Sequence, residues 1–480
     1  MWVSTHRSRA HSRVGAGEQV DALAPMGIRK WLTIPMRSPI PALFALAVSQ
    51  LLAGTQTVTF HKDIEPLVQK HCQGCHRPGE AGPFSLLTYK DARPWAKAIR
   101  EAVQLRKMPP WFADAAHGKF ANDRRLSPAE IDKIKAWVDQ GAPEGNPADA
   151  PLPIAFVDEW KIGKPDLVVE LPVAFSVPAD GKIDYIWFAT EMNLTEDKWI
   201  EKLEVRPGDR TVVHHALAFA RPPGSTFRAD LQPGAFKARP DARKPSSKPQ
   251  ADAGSFVFGE QVEMIGDYVV NGDPFVAGPG QARLVRAGSH MLFQMHYTSN
   301  GRTTTDRTRV GIVFAKTRPK ERVVNNAVVN TTLRIPPGAP NHEVQGTVTF
   351  LHNTRIGGFG PHMHVRGKAM RYELLRSDAA PETLLYVPEY NFNWQLKYQP
   401  ADWVPVKKGD KLRITAWYDN SPNNRWNPDP TQEVSWGDQS WDEMLFAFLD
   451  FVVPVDVDPD LVTGRNAPRP ATTGSESAAR

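Results

Sequence analysis

The chain has 480 residues, 41% of them hydrophobic, with 43 Pro and 34 Gly; that length suits two to four domains and that composition a turn-rich, β-heavy globular protein. The formal net charge of +5 belongs to the N-terminus, because residues 1–53 hold six of the 58 basic and two of the 53 acidic residues, leaving 52 against 51. The pI near 9.0 therefore carries no implication of nucleic acid, and no basic patch with interleaved aromatics points that way.

Pro39 to Gly54 is an uncharged apolar run, with basic residues before it and small residues after. It reads as a secretory signal, too short for an ordinary membrane span. Residues 1–54 are therefore expected to be a leader, with Met26 as a possible start. Membrane association is expected only if that segment is retained.

Cys72-Gln73-Gly74-Cys75-His76 holds the only two cysteines. C-x-x-C-H is the attachment signature of c-type haem: two thiols add to the vinyl groups, and the adjacent His takes an axial position on iron. A zinc ribbon needs a second ligand pair nearby, and a thioredoxin-like motif does not need the trailing His. One covalent haem c, carrying one electron at a time, is the reading. Both cysteines are then committed, so core packing rather than a disulfide must supply stability. Covalent haem attachment is completed outside the cytoplasm, which fits a periplasmic or secreted protein.

Residues 57–147 read as a small all-α domain. Ile64, Leu67, Val68 and His71 fall on one helical face, and a second helix starts near Thr88, carrying Ala96, Ile99 and Val103. Ser127-Pro128-Ala129-Glu130 is a capping box with Pro at the first helical position, followed by Ile131, Ile134, Trp137 and Val138 and ended by Gly141. Three helices around a C-x-x-C-H site resemble a class I cytochrome c domain. Met108, after a helix and before Pro109-Pro110, is the expected sixth ligand, and His117 is its rival.

Residues 148–165 form a Pro-rich linker. From 166 the pattern changes to short alternating strands separated by turn clusters: Leu167–Leu171, Thr211–Phe219, Met291–Tyr297, Thr347–Leu351, Leu412–Tyr418 and Met444–Phe451. About 290 residues exceed one ordinary sandwich, so two all-β sandwiches are expected, 166–318 and 319–455. Residues 221–255, with six prolines, read as an exposed insertion or lid, and 456–480 as a disordered tail.

Outside the leader and haem domain eight histidines remain, and five sit in three motifs: His214-His215, His296 in Gln294-Met295-His296-Tyr297, and His362-Met363-His364. Residues two apart on a strand share a face, so His362 and His364 can bind one metal. Neighbours point to opposite faces, so His214 and His215 can share a metal only at a bulge or through different ring nitrogens. Phe293, Met295 and Tyr297 take one face of their strand, leaving Gln294 and His296 on the other. Met444 opens the last strand, and a Met beside two histidines makes a soft site suited to Cu(I). Asp442 and Glu443, beside Met444, read as surface charges, with support of the metal ligands as the alternative. His290, His342 and His352 read as ordinary core or surface residues.

The order His-His, His-Tyr, His-x-His, late Met resembles the copper type II, ascorbate-dependent monooxygenases, which include peptidylglycine α-hydroxylating and dopamine β-monooxygenase. The resemblance covers about 165–455. It implies two jelly-roll domains, each holding one copper, facing each other across a solvent-filled cleft. His214, His215 and His296 would hold the electron-storing copper, with Gln294 near it, and His362, His364 and Met444 the catalytic copper at which oxygen and substrate meet. Two departures matter. Gly360 stands where peptide-amidating members carry the Arg that clamps a substrate carboxylate, and Phe446 and Phe448 stand where they carry Asn and Tyr. The family's disulfides are also missing. A glycine-extended peptide is therefore a poor substrate, and a small apolar or aromatic one is expected. The expected activity is hydroxylation of a C–H bond with O2, fed by a one-electron donor, either an ascorbate-like reductant or a redox protein, through the fused haem. The alternatives are a non-enzymatic haem and copper electron-transfer or copper-binding protein, and a periplasmic binding module.

Overall fold

The computed structural model describes residues 57–156, 159–238, 255–256, 262–270 and 272–463. The leader, part of the 221–255 insertion and residues 464–480 lie outside them. No helix of the described residues is long and apolar enough to cross a membrane.

The N-terminal part is helical. A π-helical turn, Phe60–Ile64, runs into the helix Glu65–His71, and Thr88 caps a second segment, Tyr89–Ala92, through its side chain. That segment continues through Arg93–Trp95 into the helix Ala96–Gln104. The Ser127 side chain accepts from Glu130 N at 3.3 Å and Glu130 Oε2 accepts from Ser127 N at 2.7 Å, which starts the helix Pro128–Asp139. Gly141, at φ +88°, lies just past its end, a left-handed position that costs a glycine nothing sterically. Phe60, Ile64, Val68, Ile134 and Trp137 are buried together, with the Phe60 ring 5.9 Å from Trp137.

The rest is a large β-sheet region. A ten-stranded sheet runs its whole length; it is continuous because Gln281–Val285 pairs in parallel with Glu321–Val329. At one end a five-stranded antiparallel sheet packs on it, in the order Phe236–Ala238, Ile186–Glu191, His290–Tyr297, Val213–Arg221, Glu263–Val269. Phe188, Leu203, Phe293 and Ile312 fill that core. At the other end the four strands His342–Thr349, Lys411–Tyr418, Gly367–Leu375 and Glu382–Val387 enclose Phe359, Tyr372, Ile414 and Phe451. An ion pair between Arg283, 1% exposed, and Asp450 at 2.9 Å ties the two ends together.

The helical domain is docked on this region rather than tethered to it. Trp111, Ala113 and Phe120 belong to the second β core. Asp114 N donates to Tyr386 O, Ala121 N to Gln399 O and Ala401 N to Lys119 O, each at 2.8 Å. Ion pairs Arg210–Glu80 and Arg124–Asp273 add charge contacts. The end of the 148–165 segment is packed too: Lys161 N donates to Glu204 Oε2 at 2.6 Å, and Gly311 leaves room for the Trp160 ring. Part of the expected tail is likewise ordered. Residues Pro459–Thr463 form a short helix, Val462 is buried, and its carbonyl accepts from Leu351 N at 2.8 Å. An apolar residue two turns past the last strand found the edge of the core.

Candidate metal centres

In the haem loop, Cys75 N and His76 N both donate to Cys72 O, at 3.1 and 2.9 Å, so the C-x-x-C-H residues fold into one tight turn. Buried Gln73 secures it through Leu86 O at 3.0 Å. A Cβ at Gly82 would stand 2.6 Å from Cys75 O, so that close approach needs glycine. His76 Nδ1 donates to Phe84 O at 3.2 Å, which fixes the tautomer and leaves Nε2 with its lone pair for iron. Burial, with Cys75 adding to it, pushes the Cys72 thiol up to about 12, so it is held as a thiol before attachment. The residues fit a covalent haem. Met108 is half-buried just past the Ala96–Gln104 helix. Its rival His117 packs on Tyr386 of the β-region, 6.1 Å between rings, and faces Asp114 at 3.4 Å.

The first histidine group sits on two neighbouring strands of the five-stranded sheet. His296 is paired directly with His215, and the next pair is Tyr297 with Val213. His214 is therefore the extra residue of a bulge, the arrangement that lets both adjacent histidines reach one point. Ligand nitrogens of His214, His215 and His296 all lie within 4.8 Å of one another. His296 Nδ1 is buried without a hydrogen-bond partner, as a nitrogen meant for a metal would be. Phe293, Met295 and Tyr297 fill the core on the opposite face, and Gln294 shares the face of His296. Tyr185 stacks on His296 at 4.6 Å between rings.

The second group ends the Thr354–His362 strand. Met363 points into the core and His362 and His364 to the other side, with 5.3 Å between their rings. Gln395 Oε1 accepts from His362 Nδ1 at 2.8 Å, and the Asp442 carbonyl accepts from His364 Nδ1 at 3.1 Å. Both partners leave Nε2 free, and that of His364 is buried without a partner. Met444 lies in the loop before the Phe446–Pro454 strand rather than opening it. It is half-buried and adjoins Glu443, whose carboxylate accepts from His364 N at 2.9 Å, Arg366 N at 2.6 Å and Met444 N at 3.2 Å. Glu443 is thus no surface charge: it is fully buried and clasps Met444 to the His-x-His segment, and burial raises it to about 7 despite those three donors.

The two groups meet. His215 and His362 lie edge to face at 6.2 Å, and the Phe392 ring stands within 5.3 to 6.2 Å of His214, His296 and His364. The expected cleft between them is closed here, because the 390–395 loop brings Phe392 against His214 and His296 of the first group while Gln395 holds His362 of the second. Burial lowers all five histidines, with mutual repulsion adding at all but His362: His214 and His362 to about 4, His364 to about 3, and His215 and His296 well below the usual value. At neutral pH they are uncharged, the form that can bind a metal. Three imidazoles in one group, and two in the other with Met444 tied to them through Glu443, are residue types that could hold a metal. Gln395, Phe392, Tyr185 and Glu443 are the site residues that motif reading missed; only Glu443, beside Met444, had a sequence cue.

Gly360 pairs with Phe448 and His362 with Phe446 across the sheet, so both phenylalanines share the face of His362, about 6 Å from its ring. A Cβ at Gly360 would lie 3.1 Å from Phe448. Phe446, Phe448 and Trp436 pack against a buried apolar cluster that includes Trp187 and Phe219, and Trp187 Nε1 is buried without a partner.

A cavity of about 400 Å³ lies between the haem loop and the β-region. Gly74 and Cys75 line one side; Tyr268, Val269, Leu396 and Lys397 line the other. Val269 pairs with His215, and Leu396 follows Gln395, the partner of His362.

No curated protein matches the chain. Among solved structures, one of PNGF-II aligns over 60% of this chain and 65% of its own at 10% identity, with a TM-score of 0.25. Infectious bursal disease virus Gx strain aligns over 64% and 76% at 7% identity and TM-score 0.17. An IolB-like protein from Salmonella typhimurium aligns over 57% and 98% at 8% identity and TM-score 0.12. Likenesses this slight bear on neither fold nor activity. The cytochrome c family model matches residues 62–142. That stretch, with its attachment turn and free axial nitrogen, is a cytochrome c domain, fused to a large β-sheet region.

Proposed function

We propose that the chain is an exported, copper-dependent monooxygenase built on two jelly-roll sandwiches. It hydroxylates a C–H bond of a small apolar or aromatic substrate with O2, with electrons relayed through the fused haem. The observation that carries this reading is the convergence of five neutral histidines, His215, His296 and His364 buried and His214 and His362 half-buried, into two groups, each with a buried nitrogen left unpaired. Copper held there would supply two one-electron stores and the reductive activation of O2, one oxygen atom entering the product and the other leaving as water.

The chain's own residues do the rest. The bulge at His214 aims three imidazoles at one point. Gln395 and the Asp442 carbonyl lock the protons of His362 and His364 on Nδ1, and the Glu443 clasp keeps Met444 beside them. Phe446 and Phe448 present an apolar wall next to His362, and Gly360 leaves no carboxylate clamp. The relay is supported by the docked haem loop, whose Cys75 lines one cavity with Tyr268 and Leu396.

The test is O2 consumption by copper-loaded protein with a reduced haem, screened over small aromatic and apolar compounds. Substrate-dependent uptake with one hydroxylated product per O2 is expected; electron transfer without product in any case would leave the alternative, a haem and copper electron-transfer protein. The ring contact between His215 and His362 is the feature that favours that alternative.

A further inference from the structure

The Cys75 edge of the haem site faces the β-region, so a second protein delivering electrons must approach elsewhere. The opposite approach is built from rings. Trp95, 43% exposed, stacks on Phe84 with 4.2 Å between centroids and 11° between planes. Phe84 in turn lies 4.8 Å from the His76 ring, and its carbonyl holds His76 Nδ1. Three aromatic rings in contact therefore run from solvent to the axial ligand.

The helical segment that carries Trp95 is strongly basic. Lys90, Arg93, Lys97, Arg106 and Lys107 are all exposed, and none is in an ion pair among the described residues. The segment's two carboxylates are Asp91, which accepts from the Ser85 hydroxyl at 2.9 Å, and Glu101; its sixth cation, Arg100, is paired with Asp139. Leu105, 55% exposed, adds apolar surface beside Arg106 and Lys107. Beyond the leader the chain is close to neutral, so this concentration is local.

We propose that the exposed surface from Lys90 to Lys107 is the docking site of a small acidic one-electron donor protein, and that Trp95 and Phe84 lead its electron to the His76 side of the haem. The donor loses one electron and ferric haem becomes ferrous; no bond is made and no proton moves. Free cations steer an acidic partner over a Debye length, and the exposed Trp95 and Leu105 give it apolar contact on arrival. The inference names the donor class for the relay proposed above, yet it depends on the haem alone.

The test is stopped-flow reduction of the ferric haem in the full chain by reduced flavodoxin, an acidic one-electron donor, with a basic ferrous cytochrome as comparison. The second-order rate with flavodoxin should fall with added salt and fall about tenfold or more in R93E/K97E, while the basic donor gains. In W95A the limiting rate at saturating flavodoxin should fall with the haem spectrum and potential unchanged. Equal rates with acidic and basic donors, or a flavodoxin rate indifferent to R93E/K97E, would overturn the docking site; an unchanged limiting rate in W95A would overturn the ring route. None of these readings involves copper or O2, so failure here leaves the monooxygenase proposal standing, and the reverse holds too.

Discussion

Glu443 does more at the second histidine group than any residue outside the five histidines. Its carboxylate receives three backbone N–H groups, those of His364, Arg366 and Met444, and no water reaches it. Glu443→Ala strands three buried donors, each worth about 1–3 kcal/mol when left unmade. Denaturant unfolding should show a loss of several kcal/mol, and metal analysis should show the His362–His364 copper lost with the His214–His215–His296 copper kept. Glu443→Gln, which keeps one acceptor oxygen, should fall between. At this scale the grouping of the histidines was legible and the residues that support it were not. Alternation on a strand placed His362 with His364, and adjacency alone left a bulge or the use of different ring nitrogens as the ways for His214 and His215 to share a metal. Glu443 sits among Trp441 and Asp442 in a polar loop, where a carboxylate ordinarily faces water, and nothing local to Gln395 ties it to a histidine 33 positions away.

The helix Pro128–Asp139 shows how much one cap carries. Burial alone would raise Glu130, but bonds from the Ser127 backbone and side chain and from His71 overcome it and lower the carboxyl to about 2. A carboxyl lowered on folding stabilises above its usual value near 4.5, and that contribution is lost as pH falls from there to about 2. Ser127→Ala should cost about 1 kcal/mol at neutral pH, measured by thermal unfolding, and should shrink the stability lost on acidification over that window. This cap, the helix start near Thr88 and the Gly141 stop were all readable, because the chemistry of helix ends is local. Strand ends were less so. The polar opening of His342–Thr349 hid its first turn-proximal residues, and Met444 fell outside its strand because the Glu443 clasp holds it in the preceding loop.

Across the molecule, the helical domain, the two β cores and the histidine groups form one connected structure, and this is what the sequence conveyed least. The docking of residues 111–121 on the second core depends on Trp111, Phe120 and a few backbone hydrogen bonds with no periodicity to announce them. The parallel pairing of Gln281–Val285 with Glu321–Val329, which makes one sheet of two halves, joins segments 40 residues apart. Because the haem loop is docked, removing the haem through Cys72→Ser and Cys75→Ser should abolish turnover driven by a redox protein while turnover with a small chemical reductant persists. Unchanged turnover with the protein donor would exclude a relay. The most direct test of the account is the copper content per haem of protein matured in a periplasm and purified without chelator. Two coppers per haem are expected, with one lost in His296→Ala and the other in His362→Ala; zinc, or no metal beyond iron, would contradict the copper assignment and leave a cytochrome c domain fused to a β-region of another purpose.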